Sequence, residues 1–265
     1  MTVIASLKRD YLSKLAEQGK RADGRRFDEY RKIEIETGVV SRAEGSAKVK
    51  IGNTQVIVGI KMDIGEPYPD SPNCGVMTTA AELIPMASPD FEAGPPQEDA
   101  IELARVVDRG IRESEIIDVE KLCIEPANKE NKGKVWIVFI DIHILDYDGN
   151  LFDAASLAAL AALFTAKVPA KRFELGEDYP LPLRDPPISC TAVKFNGAVV
   201  FDPSLDEEEI AEARLTVATD KNGHIRAMQK GLSGSFTKGE IKKVIKASID
   251  NGKELRKILY NSIGR

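Results

Sequence analysis

The stretch Lys134–Leu145 (KVWIVFIDIHIL) and the stretch that follows it constrain the fold more than anything else in the chain. Twelve residues rich in β-branched and aromatic types, with charge only at the first residue and at Asp141, read as one long buried strand. Asp146–Asn150 turns the chain, and Leu151–Lys167 (LFDAASLAALAALFTAK) reads as a helix. That helix is alanine-rich and small on several sides, as suits a helix packed centrally. It demands a layered domain in which sheet and helix bury one another. The 265 residues suffice for one large domain or two small ones, and 43% hydrophobic with 30% charged residues excludes a disordered or fibrous chain. The longest uncharged apolar-leaning stretch, Ala154–Ala166, is too short and too alanine-rich to span a bilayer. Lys8-Arg9-Asp10 leaves no room for a signal-peptide core, so a cytoplasmic location is expected.

The remaining pattern fits an α+β protein. Val3–Gln18 carries Ile4, Leu7, Tyr11 and Leu15 at helical spacing, with Gly19 as a stop. Lys32–Glu36 alternates like a strand, and Gly45–Ile51 and Thr54–Asp63 form a hairpin about Gly52-Asn53. Gly75–Met86 reads as a strand between two proline-rich loops, and Gln97–Ile117 as a helix. Phe173–Pro187 is a proline-punctuated connector. Two Asn-Gly hairpins follow, about Asn196-Gly197 and Asn222-Gly223, and then a long helix capped by Thr237 and Glu240. The expected division is an N-terminal helix over 1–20, a first domain over 21–186 and a second over 187–265.

Charge is unevenly spread. Asp63–Glu130 holds 16 acidic and 5 basic residues, and three of the basic ones, Arg105, Arg109 and Arg112, share one flank of the helix beside the apolar stripe Ala100, Leu103, Ala104, Val107 and Ile111. Three forks on one rigid face suit successive phosphates of a nucleic acid. The same face also fits a salt-bridged surface, since Asp108 can reach Arg105 or Arg112 and Glu113 can reach Arg109. An overall charge of −5 argues against a free-standing nucleic-acid binder.

Conventional catalytic constellations are missing. Three scattered cysteines and two histidines, His143 and His224, supply neither a disulfide framework nor a histidine-rich metal site, and both histidines read as structural. No nucleotide or zinc-protease motif appears, so no cofactor and no metal is expected. Asp202/Asp206 and Asp146/Asp148 are paired carboxylates of the kind that bind Mg²⁺, but turns and caps use the same spacing, and Asp206 reads as a helix cap. Gly231-Leu-Ser-Gly234 is a glycine-rich turn, and Trp136 and Met228 read as core residues.

Four segments, in order, carry a family resemblance: Arg21–Arg31 (RADGRRFDEYR), Gly45-Ser-Ala-Lys-Val, Ala100–Glu115 and Asp146–Ala161. They resemble the RNase PH family of phosphate-dependent exoribonucleases, over about Arg21–Arg256. The resemblance implies an RNase PH-like fold, with a βα domain like the second domain of ribosomal protein S5 followed by a smaller α/β C-terminal domain. The leading helix and the Asp148-Gly149-Asn150 segment are similar to the non-catalytic ring subunits of archaeal exosomes.

In active members, the resemblance implies, a Gly-Ser/Thr-Arg loop and a strand carboxylate handle the phosphate. Here Asn150 stands at the arginine position and Arg214, in Ala213-Arg-Leu-Thr-Val217, at the acidic one. The chain is therefore expected to lack catalysis of its own and to bind RNA through Arg105, Arg109 and Arg112, with Arg109 freest if Glu102 leaves it unpaired. Implied partners are a catalytic RNase PH-like subunit alternating with it in a six-membered ring (a trimer of heterodimers), cap subunits with S1/KH-type domains, and single-stranded RNA, with no membrane. Two other readings stay open: an active phosphorolytic exoribonuclease with a rearranged site using Asp202 or Asp220 as the acid, and a monomeric binding module unrelated to RNA.

Overall fold

A computed structural model of the chain describes residues 3–127 and 131–264. The first sheet has the strands β1 (Ile33–Thr37), β2 (Gly45–Ile51), β3 (Thr54–Gly65), β4 (Val76–Leu83), β5 (Cys123–Glu125) and β6 (Lys134–Asp146). Its order is β1-β2-β3-β6-β4, with β5 also pairing β6. Only β4 and β6 run parallel. The second sheet, ordered β10-β9-β11-β12, is built from β9 (Ile188–Phe195), β10 (Ala198–Phe201), β11 (Ala213–Thr219) and β12 (Ile225–Gly231). A small ribbon of β7 (Lys167–Val168) and β8 (Tyr179–Pro180) lies in the connector. The three hairpins form where the turn pairs place them: Gly52-Asn53 and Asn196-Gly197 are two-residue turns, in which Gly52, Asn196 and Gly197 take positive φ, whereas Asn222-Gly223 lies in a five-residue connection, Asp220–His224, with Gly223 at positive φ and an irregularity at Ala218/Thr219.

The helices α2 (Glu98–Arg112), α3 (Leu151–Thr165) and α5 (Lys238–Ser262) lie between the two sheets. Helix α3 packs on β2 and β3 on one side and on β9 on the other. That accounts for its composition: every residue from Leu151 to Leu163 is buried, so the helix has no polar face. Gly45 shows how close the layers come. A Cβ there would meet the Ala162 carbonyl and the Ala166 backbone at 2.4–2.7 Å, which fixes the first residue of the Gly45-Ser-Ala-Lys-Val segment. One apolar core runs from Ala47 in the first sheet through α3 to Val217 and Leu259.

Several expectations need correction. Helix α1 (Val3–Glu17) does not bury the stripe the spacing suggests. Leu12 and Ala16 pack against Val193, Phe195 and Val200, whereas Leu7 (64% exposed) and Tyr11 (58%) face outward. The side chain of Ile4 lies outside the described residues. A peripheral helix beside a small satellite core needs only a narrow apolar stripe, one position out of phase with the larger residues. Helix α2 stops at Arg112 rather than Ile117, where Glu115 turns left-handed (φ 54) and Ser114 Oγ donates to the Ile111 carbonyl. The short helix α4 (Leu205–Glu209) is capped by Ser204 with Glu207, not by Asp206, which pairs with Lys8 at 2.6 Å. Met228 is 39% exposed on the edge strand β12, while Trp136 is core as expected.

Candidate nucleic-acid interface

The loop between β6 and α3 is shaped by two residues. Gly149 (φ 85) sits so close to Pro203 and Leu205 that a Cβ would lie 2.4–2.7 Å from their backbone. Asn150 (φ 57) takes the left-handed conformation that asparagine tolerates. Its side chain turns inward, is 0% exposed, and its Nδ2 donates to Asp202 at 2.8 Å and to Asp153 at 3.1 Å. Its backbone N–H donates to Glu208 at 2.9 Å.

Beneath this loop lies a buried polar hub that absorbs three of the four arginines of the opening signature, Arg26 being exposed and paired with Asp28. Arg31 donates its backbone N–H, Nε and Nη2 to Asp202 at 2.8–2.9 Å and its Nη1 to the Asp148 carbonyl at 2.6 Å. Arg25 reaches the same carboxylate at 2.8 Å. Arg21 forks onto Glu207 at 2.6 and 2.9 Å and donates to the carbonyls of Phe201 and Asp202. Burial would raise the Asp202 carboxyl, but the bonds from Arg31 outweigh it and hold it below the usual range. Asp153 goes the other way. It accepts from the Tyr30 hydroxyl at 2.6 Å and from Thr191, yet burial dominates and its carboxyl is pushed up to about 6. These bonds tie Arg21–Arg31, the 148–150 loop and the second sheet into one unit. They leave Asp202 unavailable as a catalytic acid. Asp220 is likewise occupied, by Arg226 at 2.8 Å and by the turn at His224.

A cavity of about 300 Å³ opens beside the loop, and Arg214 lines it from β11. The Arg214 guanidinium lies 4.0 Å over the Phe152 ring and donates to Glu102 of α2 at 2.6 Å. Gly231, its register partner on β12, makes room: a Cβ there would stand 2.6 Å from the guanidinium. The other charged residues lining the cavity are all carboxylates: Asp90, Asp99, Glu102, Glu208 and Glu209 face a single Arg214. Glu208 accepts from the Tyr147 hydroxyl at 2.7 Å, and burial raises its carboxyl above the usual range. Neither Glu102 nor Gly231 was singled out by sequence reasoning as a partner of Arg214. The Ala213–Thr219 register opposite the Asn222-Gly223 hairpin was the one available signal for Gly231. Glu102 had none, because it reaches Arg214 across 112 residues of chain.

The three arginines of α2 are all exposed, but they differ. Arg112 donates to Asp108 at 2.8 and 2.9 Å and to the Met77 carbonyl of β4 at 3.0 Å, and Asp108 is itself held by the Thr79 hydroxyl. The side chains of Arg105 and Arg109 make no hydrogen bond or ion pair among the described residues. Glu102, committed to Arg214, does not engage Arg109, and the Glu113 carboxylate forms no ion pair with it, although the Glu113 backbone N–H donates to the Arg109 carbonyl at 3.0 Å. One helical turn separates the two free guanidinium groups. Among the described residues no group of three or more His, Cys, Asp or Glu side chains is arranged to hold a metal ion. No described helix is long and apolar enough to cross a membrane.

Comparison with known proteins agrees with this architecture. Residues 29–169 match the 3′ exoribonuclease family, domain 1, and residues 185–251 match domain 2 of the same family. The chain is 58% identical to the exosome complex component Rrp42 of Methanocella arvoryzae, over 97% of each chain. It is 51% identical to the Rrp42 of Thermococcus gammatolerans, over 99% of this chain and 97% of the relative. Among solved structures, it superimposes with a TM-score of 0.92 and 51% identity on a chain of the Archaeoglobus fulgidus exosome with RNA bound to the active site, covering 97% of this chain and 99% of that one. A chain of an archaeal exosome core gives 0.88 at 48% identity, covering 97% and 98%. Rice Rrp46, at 17% identity and a TM-score of 0.70 over 92% of this chain and 100% of that one, shares the fold.

Proposed function

The chain belongs to the RNase PH family of 3′ exoribonucleases, and from that premise we propose that it is a ring subunit of an archaeal exosome that guides RNA without degrading it. The observation that carries the reading is the charge of the cavity beside the 148–150 loop. Phosphorolysis needs inorganic phosphate held in line with the terminal phosphodiester, with cations on the transferring phosphoryl group. This cavity offers five carboxylates and one guanidinium, and Glu102 already neutralises that guanidinium. At the position where the family places a phosphate-binding arginine, Asn150 turns away from the cavity into the Asp202 hub. Bringing a phosphate dianion to such a wall is repulsive at short range.

The RNA contacts are assigned to Arg105 and Arg109. Their guanidinium groups are exposed and unengaged among the described residues, and their spacing of one turn suits neighbouring phosphates of a single strand. Arg112 fastens α2 to β4 and is removed from the set. Asn150 and Arg214 are the degenerate catalytic positions. The proposed division at 186/187 falls two residues inside the second matched segment, 185–251, and the domains share one core. The catalytic function then belongs to an RNase PH-like partner alternating with this chain, three copies of each, in a cytoplasmic particle that also carries S1/KH-type cap subunits.

The purified chain, given inorganic phosphate and single-stranded RNA, should release no nucleoside diphosphate, and mixing it with the catalytic partner should produce phosphorolysis and a six-subunit particle on sizing. Nucleoside diphosphate release by the chain alone would refute the assignment.

A further inference from the structure

The cavity at Arg214 is not isolated. It shares Leu83, Asp90, Phe91 and Asp99 with a second cavity of about 510 Å³ that extends to the Gly94–Gln97 segment. On its other side it shares Glu209 and Ala211 with a third, of about 500 Å³, that runs to Arg9, Glu212 and Ser233. The three form one continuous groove. Its floor is apolar where Leu83, Phe91 and Phe152 line it, and Phe91 is stacked on Tyr147 at 5.3 Å. Carboxylates outnumber cations along its rim: Glu82 and Glu92 add to Asp90 and Asp99 at one end, and Glu212 adds to Glu209 beside Arg9 at the other.

The groove already seats basic side chains of this chain. Arg214 lies between the Phe152 ring and Glu102 in the middle, while Lys8 and Arg9 of α1 reach Asp206, Glu209 and Glu212 at the far end. Leu232 stands at the mouth, 47% exposed, in a left-handed conformation (φ 63) that is costly for leucine. An apolar side chain is thus held toward the groove against its own backbone preference. A floor that takes apolar residues and a rim that takes cations match an extended strand with alternating side chains. The same rim repels RNA.

We propose that this groove binds an extended segment of a partner protein in which arginine or lysine alternates with apolar residues. Its basic side chains pair with the rim carboxylates, chiefly Asp90 and Glu209 at the two junctions, and its apolar ones enter beside Phe91 and Leu232. The inference does not rest on the RNA-guiding reading, since it needs no nucleic acid and uses neither Arg105 nor Arg109, although Glu102 of the groove lies on the same face of α2 as Arg109.

The test uses the full-length chain and a fluorescein-labelled peptide of twelve residues alternating arginine and leucine, followed by anisotropy. Saturable binding is expected, with at least a tenfold loss in a double variant Asp90→Lys, Glu209→Lys. A severalfold loss is expected in Leu232→Ser, which leaves every charge in place. The two carboxylates are exposed, so matched thermal melts should show the double variant folded. Equal binding by the double variant, or equal binding of a glutamate–leucine peptide, would overturn the proposal. Displacement of the peptide by spermine at equal total charge would assign the groove to small polycations, and direct binding of fluorescein-labelled oligoadenylate to the chain that Asp90→Lys, Glu209→Lys alone changes would assign it to RNA. Either result also overturns it.

Discussion

Replacing Arg105 and Arg109 together by glutamate should weaken the binding of single-stranded RNA to the assembled particle by about a hundredfold at low salt. Each reversal removes a cation from a phosphate and puts a carboxylate in its place. At a partly solvated site this costs about 1.4 kcal/mol or more, roughly tenfold per position. The salt dependence identifies the mechanism. Losing two phosphate contacts on a single strand should flatten the slope of log K against log salt by about 1.4. The double variant should therefore approach wild type as salt rises. Arg112→Ala is the internal contrast. Its guanidinium is held by Asp108 and the Met77 carbonyl, so RNA affinity should change less than about threefold, while the chain loses a tie between α2 and β4. An Arg112 variant as defective in RNA binding as the double variant would show that the arginine ladder has three rungs rather than two.

The largest effect on stability is expected at Asp202. Replacing it by alanine leaves Arg31 and Arg25, both nearly buried, without their shared carboxylate and strips one acceptor from Asn150. Removing one partner from such a buried set costs about 3–5 kcal/mol, readable as a lower denaturant midpoint. The effect has a sign in pH. Because the folded Asp202 carboxyl is held below its ordinary value, its contribution is fully present above the ordinary carboxylate range and is lost as pH falls through the depressed value. The gap between wild type and Asp202→Ala should therefore narrow in acid. Asp153, pushed up to about 6, acts oppositely. Its charged form is disfavoured by folding, so it subtracts stability as pH rises from about 4 toward 6. An Asp202 variant as stable as wild type at neutral pH would show that the hub is not what fastens the 148–150 loop to the second sheet.

How much of this was legible in the sequence depended on how local the determining interaction is. The hairpins about Gly52-Asn53, Asn196-Gly197 and Asn222-Gly223 are set by short local turns, and the strand at 134–146 and the helix at 151–165 by long unambiguous runs, so these could be read directly. The alanine content of α3 even announced its place between layers. What could not be read is pairing at a distance. Arg21 meets Glu207 across 186 residues, and Arg214 meets Glu102 across 112. Local spacing suggested partners for all three α2 arginines. It was right for Arg112, while tertiary placement left Arg105 and Arg109 without the partners expected of Asp108 and Glu113. Helix α1 and Met228 were misread for the same reason. At the edge of a fold, the larger apolar side chain is not always the buried one.

Inorganic phosphate titrated into the isolated chain and followed by phosphorus NMR tests the central claim most directly. The acidic cavity, with its one guanidinium held by Glu102, should give no saturable change over the concentrations at which the catalytic partner saturates. A saturable change that disappears in Arg214→Ala would mean that this chain grips the attacking anion after all.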